Sequence, residues 1–333
     1  MKPIEFLPVG FFGAAMGLSG LCIAWRLAQF LFGAPFWVGE SIAALAAAAF
    51  VLIGAGYLAK LALYPRRVVA EWKHPVIGPL FSTIFISLLL EPIVIMPYAP
   101  LAAQVMWFAG ASAMSLFTIY IVRRWLSVKQ EIDHPAPTWF VPVIGALNIP
   151  AAGLYRDSLA VHEFYTLTVA VGLIFAFVLF TLVFARLIFR PLPEPLVPTL
   201  AILAAPFGVG FVGYTQTMEG IDRFASLLYF AGVFIVVMIA PRLLRAAFRR
   251  PFRIVWWAIS FPLASVTVSA VKYASSFATP LTLWLAAGML ALSSLATLWL
   301  LLETLWHLAA GDLFTPEIEA AAKAEAAIKV GAR

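Results

Sequence analysis

Charge is scarce in this chain. Lysine, arginine, aspartate and glutamate make up 11% of its 333 residues, less than half of the roughly 25% usual for a soluble domain. With 63% of residues hydrophobic and a mean hydropathy of +0.99, folding as a water-soluble globule is excluded. Cysteine is rarer still: Cys22 stands alone, which rules out an intrachain disulfide and leaves no pair for redox chemistry. The four histidines, His74, His134, His162 and His307, lack metal-ligand spacing. No phosphate-cradling G-x-x-x-x-G-K-[ST] loop occurs, so a nucleotide-driven pump is not indicated. The short alternating segments of a membrane β-barrel are missing as well. The sequence implies no cofactor and no catalytic set, so an enzyme is not expected.

What is present is a repeat. Pro8, Pro75, Pro135, Pro195 and Pro251 each open a long apolar run, at steps of 67, 60, 60 and 56 residues. One step accommodates two membrane-crossing helices of about 20 residues with their turns. The expected fold is therefore an all-α membrane protein of about ten transmembrane helices arranged as five hairpins. The expected spans are 8–30, 36–63, 76–96, 101–124, 138–156, 160–186, 196–217, 222–246, 253–273 and 279–306. Five similar hairpins close most naturally into a quasi-five-fold ring around an axis normal to the bilayer, which suggests a central pore lined by odd-numbered helices. Lys2 ahead of an apolar run invites a signal-peptide reading. Glu5, the run continuing past Trp25 and the want of a clear cleavage site favour a retained first span. Residues 1–310 form the transmembrane domain on this reading, and 311–333 a short polar helical tail opened by Thr315-Pro316-Glu317.

The net charge of +6 is distributed unevenly. Arg66, Arg67 and Lys73 lie in the second connection, Arg123, Arg124 and Lys129 in the fourth, and Arg186 and Arg190 in the sixth. Arg242, Arg245, Arg249, Arg250 and Arg253 crowd the eighth, whereas the odd connections hold little beyond Arg156, Arg223 and Lys272. The positive-inside rule then puts the even connections and both termini in the cytoplasm, with the chain in the inner (plasma) membrane. Topology accounts for these basic loops, so nucleic acid is not implied as a partner.

Helix disruptors concentrate in the odd spans. Gly10, Gly13, Gly17 and Gly20 share a face of span one, and Gly78 and Pro79 open span three near Ser82. Pro142, Gly145 and Pro150 fall in span five, Pro198, Pro206, Gly208, Gly210 and Gly213 in span seven, and Pro262 in span nine. Broken helix is tolerated at membrane depth where it is buried in protein or lines a water-filled cavity. The candidate lining or kink residues are Gly13, Gly17, Ser82, Pro142, Gly145, Pro206, Gly210, Pro262 and Ser265. Close helix packing through small residues is the competing reading of each glycine.

The run Leu7-Pro8-Val9-Gly10-Phe11-Phe12-Gly13 to Ala24-Trp25-Arg26 resembles the start of bacterial tellurite-resistance membrane proteins. His74-Pro75-Val76, Phe140-Val141-Pro142, Ala204-Ala205-Pro206 and Ser260-Phe261-Pro262-Leu263-Ala264-Ser265 follow in the order of that family. It is the tellurite-resistance/dicarboxylate transporter family, which includes the slow anion channels of plant guard cells. The resemblance implies a homotrimer of separately conducting protomers, with odd helices lining each pore and a phenylalanine on the ninth helix plugging it. On this sequence that residue is Phe261, and the Pro262 after it looks like the plant members.

Read on its own, span nine places Ala258, Phe261, Ser265 and Lys272 near one face at α-helical spacing, with Phe261 the one bulky group at membrane depth. An aromatic ring there can close a narrow passage by sterics and dewetting. Odd helices that begin on the cytoplasmic side turn their positive dipole ends to that mouth, which favours anions. Carbonyls freed by proline would favour cations deeper in, so selection by ease of dehydration is expected over a tight site. Arg26, Glu91 and Lys272 fall at outer ends of odd spans and form a candidate outer-mouth charge network, while Lys60 and Glu303 suit pairing or snorkelling. Gly17-Leu18-Ser19-Gly20 matches a short sequence of some intramembrane serine proteases, but every histidine lies at a span edge, away from a base's position. Passive conduction of small inorganic anions or organic acids is the leading expectation. A secondary transporter of C4-dicarboxylates or oxyanions such as tellurite is the alternative.

Overall fold

The computed structural model describes residues 3–314 except 156 and 191. The expected tail helix from Thr315 lies outside the described residues. Eleven α-helices and several 3-10 pieces account for the described secondary structure, and nine helical stretches are long and apolar enough to cross a membrane. Four of these inner stretches share one construction, a 3-10 piece running into an α-helix. Val9–Phe11 leads into α1 (Phe12–Phe32), and Gly78–Phe81 into α4 (Ser82–Ile95). Glu194–Ala204 leads into α8 (Ala205–Thr217), and Ile254–Ile259 into α10 (Ser260–Ser276). The prolines explain part of this. Pro79 and Pro195 sit at the first positions of their 3-10 pieces, where the missing N–H costs nothing, and Pro198 falls within the second of them.

The fifth expected span, 138–156, is not a continuous helix. It is a succession of short pieces: Pro137–Phe140, α6 (Val141–Ile144), Gly145–Asn148 and Pro150–Ala152. Three prolines and Gly145 within 16 residues interrupt any i→i−4 ladder, and the segment is buried from Ala136-Pro137 through to Pro150. Backbone groups left over are met from outside: Thr118 Oγ1 donates to the Pro142 carbonyl at 2.8 Å and Trp107 Nε1 to that of Ile149 at 2.9 Å. Such satisfaction is obligatory in lipid, where an open carbonyl has no water to turn to.

The intervening helices are long and regular: α2 (Phe36–Leu63), α5 (Pro100–Ser127), α7 (Leu159–Phe189), α9 (Arg223–Arg249) and α11 (Pro280–Ala310). Burial separates the two sets. The four inner stretches are 67 to 89% buried, the five long helices 22 to 39%. Exposed faces of the long helices carry Leu52, Leu116, Phe177, Phe234 and Leu298, as suits lipid or a neighbouring protomer. A short amphipathic α3 (Pro65–Lys73), not expected from the sequence, lies in the second connection.

Inner segments touch one another in order. α1 packs on α4, α4 on the broken fifth segment, that segment on α8, α8 on α10, and α10 returns to α1. Gly17 and Gly20 make the last contact close: a Cβ at Gly17 would collide with Ser260, and one at Gly20 would stand 2.8 Å from the Ala264 Cβ. Ser260 Oγ lies 3.2 Å from the Gly13 carbonyl, and Ser269 Oγ donates to that of Gly208 at 3.0 Å, so hydroxyls tie α10 to both neighbours.

The basic connections gather on one side. Arg67 Nε meets Glu5 at 3.1 Å, and Arg124 donates to the Trp72 carbonyl at 2.9 Å. Arg186 Nη2 reaches the Asp133 carbonyl at 3.4 Å, and Arg250 pairs with Glu194. Phe252 stacks on His307 at 5.5 Å. These contacts link the N-terminal segment, each even connection and the end of α11, and define a basic side of the molecule.

Candidate functional site

A cavity of about 110 Å³ opens among the first halves of all five inner segments on the basic side. Its wall residues recur every third position: Gly10, Gly13 and Met16; Ile77, Leu80 and Thr83; Val141 and Ile144; Thr199, Ile202 and Ala205; Val255, Ala258 and Phe261. A 3-10 helix has three residues per turn and eclipses side chains at i and i+3. Thr199 with Ile202 and Val255 with Ala258 lie within such 3-10 pieces, whereas Gly13, Met16, Thr83, Val141, Ile144, Ala205 and Phe261 stand on α-helix, where residues three apart also share a face. The wall is mostly aliphatic, and Phe261, only 6% exposed, ends the last row beside Pro262. The Cδ2 atom of Phe261 would lie 3.7 Å from a Cβ built on Gly20, so its ring also leans on α1.

Of the residues singled out in the sequence, Gly13, Phe261 and Pro262 are in this wall. Others face neighbouring helices. Gly17 faces Ser260, Gly145 faces Met114 and Ile86, and Gly210 faces Leu173 and Leu228. Pro206 borders a small crevice with Leu173 and Phe180. Ser82 Oγ returns to the Pro79 carbonyl at 2.5 Å. Ser265 Oγ returns to the Pro262 carbonyl at 2.8 Å on the side of α10 that Gly208 approaches. Pro142 hands its carbonyl to Thr118. Met16, Thr83, Ile144 and Ala205, not singled out from the sequence, stand on the α-helical parts of their segments, where spacing by three continues each row. The period of three after each entrance proline was the available signal.

Near the opposite ends of the inner helices, Arg26 is bidentate to Glu40 of α2, with both contacts 2.9 Å. Its Nη1 also donates to the carbonyls of Ile93 and Val94 at 3.1 and 3.0 Å. Arg26 thus finds its carboxylate in Glu40, not Glu91, and pins α1, α2 and α4 together. Tyr98 hydrogen-bonds the same Glu40. Glu91 is 1% exposed between α1 and α4, 2.8 Å from the Ser19 hydroxyl, which is also 2.7 Å from the Ala15 carbonyl. Lys272 lies half-buried near the end of α10.

A buried cluster at the cavity mouth was not foreseen beyond the pairing expected of Lys60. Lys60 and Glu71, 1% and 4% exposed, pair at 2.5 Å. Tyr57 donates to the second Glu71 oxygen at 2.6 Å, and Lys60 to the Leu7 carbonyl at 2.6 Å. Every charge here is compensated, as burial demands. Glu71 comes from α3, whose nine residues the hydropathy pattern hid in a polar loop. Glu5, Phe6, Arg67 and Glu71 complete the cavity's rim.

Comparison with known proteins gives this arrangement its family. Residues 7–305 match the voltage-dependent anion channel family. The chain is 25% identical to an S-type anion channel of Arabidopsis thaliana over 90% of its own length, and spans about half (48%) of that plant relative. It is 28% identical to a tellurite resistance protein homologue of Haemophilus influenzae, covering 82% of each chain. An uncharacterised transporter of Methanocaldococcus jannaschii is 24% identical over 77% of this chain and 81% of its own. Since the match runs through all the inner segments and the cavity they enclose, the chain belongs to the voltage-dependent anion channel family.

Proposed function

We propose that the protein is a passive anion channel whose pore runs between the five inner segments and is closed by the Phe261 ring. The observation that carries this reading is the cavity to which every inner segment contributes wall residues, with Phe261 at the end of a row. The last members of the rows are Met16, Thr83, Ile144, Ala205 and Phe261. A constriction of this kind sheds water and blocks hydrated ions until the ring moves.

Anion preference follows from two features. Inner segments begin on the basic side, so the partial positive charge of their first turns meets at the mouth. Hydroxyls of Ser260, Ser269 and Thr118 also lie on the carbonyls of Gly13, Gly208 and Pro142, which leaves less bare carbonyl oxygen there to attract cations. An aliphatic wall offers little to replace a hydration shell, so weakly hydrated anions such as nitrate pass more readily than fluoride or sulfate. The basic side faces the cytoplasm of a cell whose inner membrane houses the protein, and exposed apolar faces of the long helices support a homotrimer.

The test is current through full-length protein in planar bilayers or oocytes. Phe261→Ala raises anion conductance by about tenfold or more, with a reversal potential that follows the nitrate or chloride gradient. A correctly folded variant with wild-type current would defeat the gate assignment. One observation favours a transporter instead: Glu91 is a carboxylate buried at membrane depth, a position typical of proton relays. Proton-coupled uptake of a dicarboxylate or tellurite, abolished in Glu91→Gln and unaccompanied by channel current, would establish that alternative.

A further inference from the structure

The cavity rim carries more than apolar wall. Among the rim residues Arg67 bears the permanent positive charge, while Glu5 and Glu71 bear the negative ones. Glu71 is consumed by Lys60 and Tyr57 at 2.5 and 2.6 Å. Glu5 is the partner of Arg67, through one contact of 3.1 Å from Nε, and the guanidinium stands 5.7 Å from the centre of the Phe6 ring. Only one of five guanidinium donors is used in that contact, and the Arg67 side chain retains 41% exposure. Its position is not explained by helix stability. Arg67 lies in the first turn of α3, where the helix dipole disfavours a cation. A residue that breaks a local rule at a cavity rim points to function.

We propose that Arg67 gathers the permeating anion at the mouth of the cavity, and that Glu5 is a tethered competitor which the anion displaces. The proposal rests on the channel reading above and adds the residue that sets its inner access. With Glu5 in place the rim sums to neutrality across Lys60, Arg67, Glu5 and Glu71. When an anion takes over the guanidinium, the Glu5 carboxylate moves off into water and the 3-10 piece Pro3–Phe6 loosens from α3. Nitrate and chloride are the probes, because any small anion can meet the exposed N–H groups.

The two partners should shift conduction in opposite directions, a result that a merely structural ion pair cannot produce. In the Phe261→Ala background, Glu5→Gln raises current carried by anions leaving through the basic side about twofold, and Arg67→Gln lowers it about two- to threefold. Arg67→Lys retains most of the current, and the double variant resembles Arg67→Gln. Both differences shrink between about 20 mM and 500 mM salt, as screening shortens to a few ångströms. Arg66→Gln, the same charge change one position away and outside the cavity wall, has no comparable effect. Loss of current in both Glu5→Gln and Arg67→Gln, or an equal loss in Arg66→Gln, overturns the proposal. If the Phe261→Ala background carries no anion current, the channel reading itself fails. Calorimetric titration of the detergent-solubilised full chain with nitrate then decides on Arg67: tighter binding in Glu5→Gln and weaker in Arg67→Gln supports it, and unchanged binding refutes it.

Discussion

A single charged side chain has few tolerable environments once it is buried, and Lys60 occupies one of them. Its ammonium group is shared between Glu71 and the Leu7 carbonyl, and Tyr57 fills the remaining carboxylate oxygen. Removing one member strands the other. Glu71→Gln is expected to destabilise the fold by about 3–5 kcal/mol, and Lys60→Met together with Glu71→Leu to recover most of that loss. Thermal unfolding in detergent reads both; equal damage in the single and double variants would argue against a compensated pair. Asp222 offers a milder case outside the spans. The Ala225 amide, followed by the Tyr214 hydroxyl, holds its carboxyl below the usual aspartate range. A lowered folded-state pKa means that the cap's contribution is present above the unfolded value of about 4 and fades as pH falls through the folded one. The gap in unfolding temperature between wild type and Asp222→Ala should therefore be constant at neutral pH and close only in acid. Phe261, singled out from the sequence as one bulky ring among small and polar neighbours and by the family resemblance, lies in the cavity wall, and its gating role is the proposal above. Glu71 was not singled out, because its partner Lys60 lies 11 positions earlier on a different helix.

Helical elements here are of two kinds, and the inner segments combine both, with the cavity rows crossing from one to the other. Inner segments start as 3-10 helix, where the row repeats every three residues, and continue as α-helix, where it drifts. Prolines and glycines marked the inner segments correctly as disrupted. The hand-over from one period to the other was not visible, since residues near Pro79 or Pro198 fit either helix. Local composition also could not divide glycines of the wall from glycines of the contacts. Gly13 belongs to the wall, whereas Gly17 admits Ser260 of α10, a residue 243 positions later. Gly17→Val should therefore separate α1 from α10 and prevent a stable fold. Gly54→Ala, with open space around its position, should be neutral or slightly stabilising, by up to about 1 kcal/mol. Detergent-resistant monodisperse protein from Gly17→Val would show that the close approach is dispensable.

At the level of the whole molecule, contacts on the basic side join the N-terminal segment, the even connections and the end of α11. The arrangement predicts the orientation of the protein: a cysteine placed at Lys129, in the exposed fourth connection, should react with impermeant thiol reagents only from the cytoplasm. A cysteine replacing Tyr98, in the exposed turn before α5, should react only from outside. Labelling of both from one side would refute the assignment. Scarce charge, long apolar runs and the proline period determined that the chain is a multi-pass helical membrane protein, because long continuous apolar runs without barrel-type alternation satisfy their backbone in lipid as helices. They also determined the inner and outer sets, since only buried segments can carry so many helix breakers. Tertiary structure alone decided that the fifth segment is a chain of short pieces, that Arg26 pairs with Glu40, and which rows enclose the cavity. Those outcomes depend on what distant residues offer to a freed carbonyl, a buried charge or a missing Cβ, and no stretch of sequence contains its own neighbours.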